Sequence, residues 1–285
     1  MCLYFPICQE FKRNRIGVTG LVMFLLLSTT AILAPIIAPH DPWDYSDRSF
    51  QSPSMNHLLG TNDIGYDIFS ELLWALRTSV FFGVSVAAIA CTIGLILGVS
   101  TALIGGLYDL VVMRIVDALL AIPSILVLIL IAAYFRPSTM ILVITLSLII
   151  WQTIARGIRA QTLSLKTKLH IKAARNMGAS TGYIMRKHII PELFPLYAMG
   201  FVTKARIAVF MEAGLSFLGI FDPTTKSLGI MMSYAMRYLY LDVWFNWLLP
   251  AVLSLSMLIV SLALISYAIE EIFDPRLRED NAATV

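Results

Sequence analysis

The sequence predicts an all-α integral membrane protein with six transmembrane helices and both termini on one side. Of its 285 residues, 58% are hydrophobic and 14% charged, with a mean hydropathy of +0.80, which is too apolar for a soluble domain. Apolar runs recur near the length of about 20 residues that a helix needs to cross the hydrocarbon core. Lysine and arginine are divided unevenly between alternate connections, which orients the spans.

Taken in order, uninterrupted apolar runs cover 16–38, 78–108, 118–135, 137–155 and 247–269, and a sixth, 193–218, carries Lys204, Arg206 and Glu212. The expected division is an N-terminal part, 1–77, made of a tail, an anchor helix 16–38 and an external segment 39–77. A transmembrane domain, 78–285, follows, with a cytoplasmic loop at 156–192. Fourteen lysines and arginines fall in the tail, 109–117, 156–192 and 270–285, against five in 39–77, at Arg136 and in 221–246. The positive-inside rule then places both termini and the 156–192 loop in the cytoplasm. Reporters after Tyr45, Arg136 and Asp222 should read external, and those after Lys168 and Asp280 cytoplasmic.

The first run is longer than a signal-peptide core and lacks a small-residue cleavage site, so it reads as a retained anchor. Phe11–Arg15 places three cations in front of it, and Pro35, Pro39 and Pro42 end it. The segment that follows is acidic. Gly60–Asp63 predicts a turn, with a helix starting near Gly65 whose apolar face carries Phe69, Leu72, Leu73 and Leu76. Gly94 and Gly98 have the small-xxx-small spacing of close helix packing, and Pro123 predicts a kink. Trp244 and Trp247 are expected at a membrane interface, and Pro250 in the first turn of the last span.

The chemistry concentrates in Arg156–Pro191, which has eight cations and no acid. Ala173, Ala174, Met177, Tyr183 and Ile184 recur at helical spacing around Gly178 and Gly182, which predicts a short amphipathic helix, a turn and a second helix. Such an island serves either as a loop at anionic headgroups or as a docking helix for a soluble partner.

Several classes are excluded. There is no phosphate-binding loop, no G-x-S-x-G or H-E-x-x-H, and no cofactor motif, so no enzyme activity is expected of this chain. Cys2, Cys8 and Cys91 give no disulfide framework, His40, His57, His170 and His188 are scattered in sequence, and no metal site is predicted. The net charge of +3 follows from the cytoplasmic bias and gives no case for nucleic acid.

Six stretches resemble permease subunits of ATP-binding cassette (ABC) importers of the dipeptide, oligopeptide and nickel class. FKRNRIGVTGLVMFLLL with LAPIIAPHDP resembles their N-terminus, and HLLGTNDIGYDIFSELLWALRTSVFFG a block that usually has Arg at the position of Tyr66. MRIVDALLAIPSILVLIL and MEAGLSFLG (Met211–Gly219) resemble two more, and the EEIFDPRLRED tail resembles the family's closing DALDPRLR. Ala173-Ala174, Gly178 and Ile189-Ile190-Pro191 resemble the EAA signature, with Lys172 at its acidic position.

The resemblance implies a fold of the methionine-importer type and makes the helix before Gly178 the coupling helix. Lys172, Ala173, Ala174, Arg175, Met177, Gly178 and Ala179 would then contact an ATPase subunit, with Ala173 and Ala174 small enough for close approach. It further implies a second homologous permease, an external substrate-binding protein, and a peptide or nickel as cargo. Glu212 belongs to one of the matching blocks and is a candidate either for the translocation path or for structural pairing. The competing class is an ion-coupled secondary transporter with Lys204, Arg206 and Glu212 as its relay.

Overall fold

The computed structural model describes residues 10–44, 48–135, 138–222 and 224–273. The expectations for Cys2, Cys8, Tyr45, Arg136 and the tail from Asp274 onward fall outside the described residues. Among those described, every element is helical apart from one isolated bridge between Thr61 and Asp67.

The first helix, α1 (Arg15–Ile37), starts where the Asn14 side chain accepts from the Gly17 amide at 2.9 Å. A 37-residue helix, α2 (Ile68–Ile104), begins under the cap of Asp67 and stops at Gly105, whose φ of 69° a helix cannot continue. The expected amphipathic helix and the span at 78–108 are therefore one helix that starts ten residues earlier. Its length of about 55 Å exceeds the hydrocarbon core.

The predicted kink at Pro123 is a break, since α3 (Gly106–Ala121) and α4 (Ser124–Phe135) meet at 77°. The next pair, α5 (Thr139–Ile150) and α6 (Gln152–Lys166), bends by 41° at Trp151. Arg156, Arg159 and Lys166 thus ride on a helix rather than in a loop, because the apolar side chains of α6 keep helical spacing after the continuous apolar run has ended.

A short α7 (Leu169–Asn176) precedes α8 (Thr181–Ile184), which passes through a π-helical turn, Met185–Ile189, into α9 (Ile190–Phe217). Two further helices, α10 (Leu228–Ala235) and α11 (Trp244–Phe273), complete the order. Pro250 lies in the second turn of α11, one turn later than expected. Four helical stretches are long and apolar enough to cross a membrane, or six spans if each bent pair counts as one.

Close packing sets the arrangement. A Cβ on Gly94 would meet Ile154 at 2.7 Å, and one on Gly98 the Ala155 carbonyl oxygen at 2.6 Å, so the glycine pair is where α6 lies on α2. Gly83 meets Val209 of α9 in the same way, and Gly17 and Gly20 meet Ala268 and Leu264, which sets α1 antiparallel to α11. Asn14 Nδ2 donates to Glu271 Oε2 at 2.7 Å, so the first and last helices close at one end. That end also holds α7, because Ile171, Ile184 and Ile189 share a core with Val99 and Leu165.

The opposite end is a lid formed by 48–67, α10 and the residues leading into α11. Asn62 Oδ1 accepts from the amides of Ile64 and Tyr66 and so folds the expected turn. Trp247 is buried in this end and stacked on Tyr238 at 6.0 Å, whereas Trp244 is exposed.

Candidate functional site

At the end that carries the basic segment, α7 projects between two turns. Lys168 Nζ donates to Glu192 Oε2 at 2.5 Å and His170 Nε2 lies 3.1 Å from Glu192 Oε1, which ties the start of α7 to the start of α9. Gly178, with φ 84°, ends the helix in the left-handed conformation that only glycine adopts without strain. Ala179 N donates to Ala174 O at 3.1 Å, closing that turn.

The candidate contact residues divide between two faces. Lys172, Ala173, Arg175, Met177 and Gly178 are exposed, Met177 by 81%, whereas Ala174 is buried at 9% and Ala179 is half-buried. The pair of alanines is therefore not one surface. Ala174 packs inward beside Ile171, and Ala173 with Met177 forms the outward face. An exposed methionine on a helix with few acids is an adaptable docking surface.

Behind this end, Asp109 of α3 accepts two hydrogen bonds from Arg159 of α6, at 2.5 and 2.6 Å, and Asp117 pairs with Arg156. The sharply bent α3–α4 unit is thus fastened to the helix that leads into α7. Lys166 Nζ adds a bond to the Ala102 carbonyl at 2.6 Å.

Glu212 lies fully buried in α9. Ser79 Oγ of α2 donates to its Oε2 at 2.9 Å and Ser216 Oγ to its Oε1 at 2.7 Å, and the Ser227 hydroxyl also reaches it. Lys204, two turns away, is buried beside Cys91, and Arg206 is half-buried. Glu212 and Lys204 do not meet, in agreement with their separation on the helix.

Two clusters were not visible in the sequence. Lys226 Nζ donates to Glu71 Oε1 at 3.0 Å and stands 4.0 Å over the Tyr66 ring, while Asn62 Nδ2 donates to Glu71 Oε2 at 2.9 Å. The only hint was Tyr66 itself, since an arginine there would stand against Lys226. The second corrects the expectation of scattered histidines: ligand-type atoms of His40, His57 and Asp67 lie within 4.8 Å of one another. Here His57 Nδ1 pairs with Asp67 Oδ1 at 3.0 Å, Asp67 Oδ2 caps α2 at Ser70 N, and His40 Nε2 bonds the Asn56 carbonyl. These bonds brace the lid against the start of α2.

The chain is thus a bundle of long apolar helices with a bracketed helix at one end and a braced lid at the other. The family described as binding-protein-dependent transport system inner membrane component matches residues 90–279, and the chain belongs to that family. The N-terminal transmembrane domain of oligopeptide transport permease C matches residues 7–54. The chain is 29% identical to the dipeptide transport system permease protein DppC of Bacillus subtilis (strain 168), over 95% of this chain and 85% of that protein. It is 30% identical to the oligopeptide transport system permease protein OppC of the same organism, over 95% and 88%. The dipeptide permease DppC of Haemophilus influenzae is also 30% identical, over 94% and 93%.

Proposed function

We propose that this chain is one of two permease subunits of an ABC importer that moves peptides, delivered by an external binding protein and driven by ATPase subunits. The observation that carries the reading is α7, a short helix pinned at one side by Glu192, ended by Gly178, and presenting Lys172, Ala173 and Met177 outward. A helix fixed at both ends transmits a rigid-body push. The peptide cargo is supported by the relatives, which are peptide permeases by name.

In this reading the end with α7 and both described chain ends is cytoplasmic, in keeping with the charge count, and the lid faces the binding protein. Among the described residues α3 and α4 bury only Val116, Leu128 and Ala132, leaving wide apolar faces for a second permease and for lipid. ATP binding and hydrolysis are assigned to the partner subunits. Nothing favours the ion-coupled alternative, because Glu212 is held by serines and Lys204 faces Cys91 rather than a carboxylate.

The test is uptake of a labelled peptide into vesicles holding the permease pair, the ATPase subunits and the binding protein. Uptake should require ATP on the α7 side. Uptake driven by a proton gradient without ATP, or of nickel ions in place of peptide, would overturn the assignment.

A further inference from the structure

The π-helical turn Met185–Ile189 separates two cavities that share Met185. One, of about 480 Å³, is lined by Ser180, Tyr183, Arg186 and Lys187 among others. The other, of about 440 Å³, is an apolar groove between α2 and α9, lined by Leu95, Ile96, Val99, Leu103 and Ile190. No acidic residue lines either of them.

Arg186 and Lys187 are exposed and form no ion pair with a described residue, whereas Lys168 and His170 are engaged by Glu192. The π turn accommodates one more residue than an α turn, which lets Ile184 and Ile189 both stay buried while Arg186 and Lys187 point outward together. A cationic pocket that adjoins an apolar groove at Met185 is complementary to a molecule with an anionic head and a hydrocarbon tail. We infer that the two cavities together bind one anionic phospholipid, its phosphodiester held by Arg186, Lys187 and the Ser180 hydroxyl and one acyl chain laid along α2.

The parts have distinct tasks. The planar guanidinium of Arg186 matches phosphate oxygens two at a time, and Lys187 adds a mobile point charge. The groove supplies selectivity for a lipid over a soluble anion, because a free phosphate gains nothing from Ile96 and Leu103. Basic pockets between membrane helices bind anionic headgroups by the same logic. The bound lipid would fix the π turn and with it the junction between α7 and α9.

The experiment uses the assembled complex in nanodiscs of phosphatidylcholine doped with phosphatidylglycerol, with retained lipid read by native mass spectrometry. The wild type should retain one phosphatidylglycerol per copy of this chain. The double variant Arg186→Gln/Lys187→Gln should weaken that retention by about tenfold or more, each cation near an anionic lipid counting about fivefold. Ile96→Trp, which fills the groove from an exposed position, should release the lipid with both cations intact. Inorganic phosphate at millimolar concentration should not compete. Retention unchanged in both variants, displacement by inorganic phosphate, or protection of Arg186 and Lys187 by an ATPase subunit instead of lipid would each overturn the site. ATP-dependent peptide uptake is a separate readout, so failure here leaves the importer assignment standing.

Discussion

The carboxylate of Glu212 accepts a hydrogen bond from Ser79 Oγ at 2.9 Å, joining α9 to α2 across 133 residues of sequence. With Ser216 on its other oxygen, Glu212 fastens the two helices that Gly83 and Val209 bring together. Glu212→Gln keeps a carbonyl acceptor for one serine and should fold and transport near wild type. Glu212→Leu leaves buried hydroxyls unpaired and should cost about 1–3 kcal/mol, read as a lower melting temperature of the purified complex. Equal melting temperatures for all three proteins would show that the serine bonds do not hold this pair of helices.

A second fastening joins the lid to α2. Lys226 and Glu71 have side chains 10% and 4% exposed, and Lys226→Met would strand the Glu71 carboxylate. The loss should be about 3–5 kcal/mol, and Glu71→Gln/Lys226→Met should recover most of it. Tyr66→Arg should be destabilising here because it places a second cation against Lys226, whereas Tyr66→Phe should be mild. A double-mutant cycle on melting temperature with no coupling between 71 and 226 would contradict this.

The lid also has an alkaline limit. Tyr238 donates to Asp63 Oδ2 at 3.0 Å, and that hydrogen bond, with the charge of the carboxylate, raises the phenol above its ordinary value. The folded state therefore holds the proton more tightly. The stabilisation is fully present below about pH 10 and is lost as pH rises through the folded value. Tyr238→Phe should remove this step, so melting curves of wild type and variant should converge above pH 10, and curves that stay parallel would refute the linkage.

The long apolar helices and the break at Pro123 were legible because apolar runs and prolines are local signals, and Gly94 with Gly98 already named a packing face. The sequence placed the helix start near Gly65 but hid that this helix runs unbroken into the 78–108 span, because Glu71 and Arg77 interrupt the apolar run, and Glu71 is tolerated through Asn62 and through Lys226, which lies 155 residues away. It read 156–166 as loop because charge hid the helical spacing of Ile158, Thr162 and Leu165, all of them buried. Within the candidate site, the helix and its glycine end were legible. The inward turn of Ala174 was not, since two adjacent alanines look alike until the neighbouring core is known.

Helix packing gives a matched pair of substitutions. A Cβ on Gly98 would lie 2.6 Å from the Ala155 carbonyl oxygen, while one on Gly214 would meet nothing within 4 Å. Gly98→Ala should therefore force α2 and α6 apart at about 1–3 kcal/mol. Gly214→Ala should be neutral or slightly stabilising through helix propensity. Equal thermal stability for the two variants would mean that α6 does not rest on α2 at this point.

The most direct test of the importer assignment is whether ATPase subunits co-purify with the permease when the outward face of α7 is altered. Ala173→Trp adds bulk on that face, and Gly178→Asp places a side chain at φ 84° and so alters the end of the helix. Ala174→Trp is the control for inward packing, and it should lower stability as well as association. Lys172→Glu asks whether the partner groove expects a carboxylate at this exposed position. If α7 is the docking element, Ala173→Trp and Gly178→Asp leave the chain inserted and folded while ATPase association and ATP-dependent uptake fall by about tenfold or more, a loss of about 1.4 kcal/mol. Wild-type association and uptake in both variants would contradict the assignment and leave the basic segment as a lipid-facing surface.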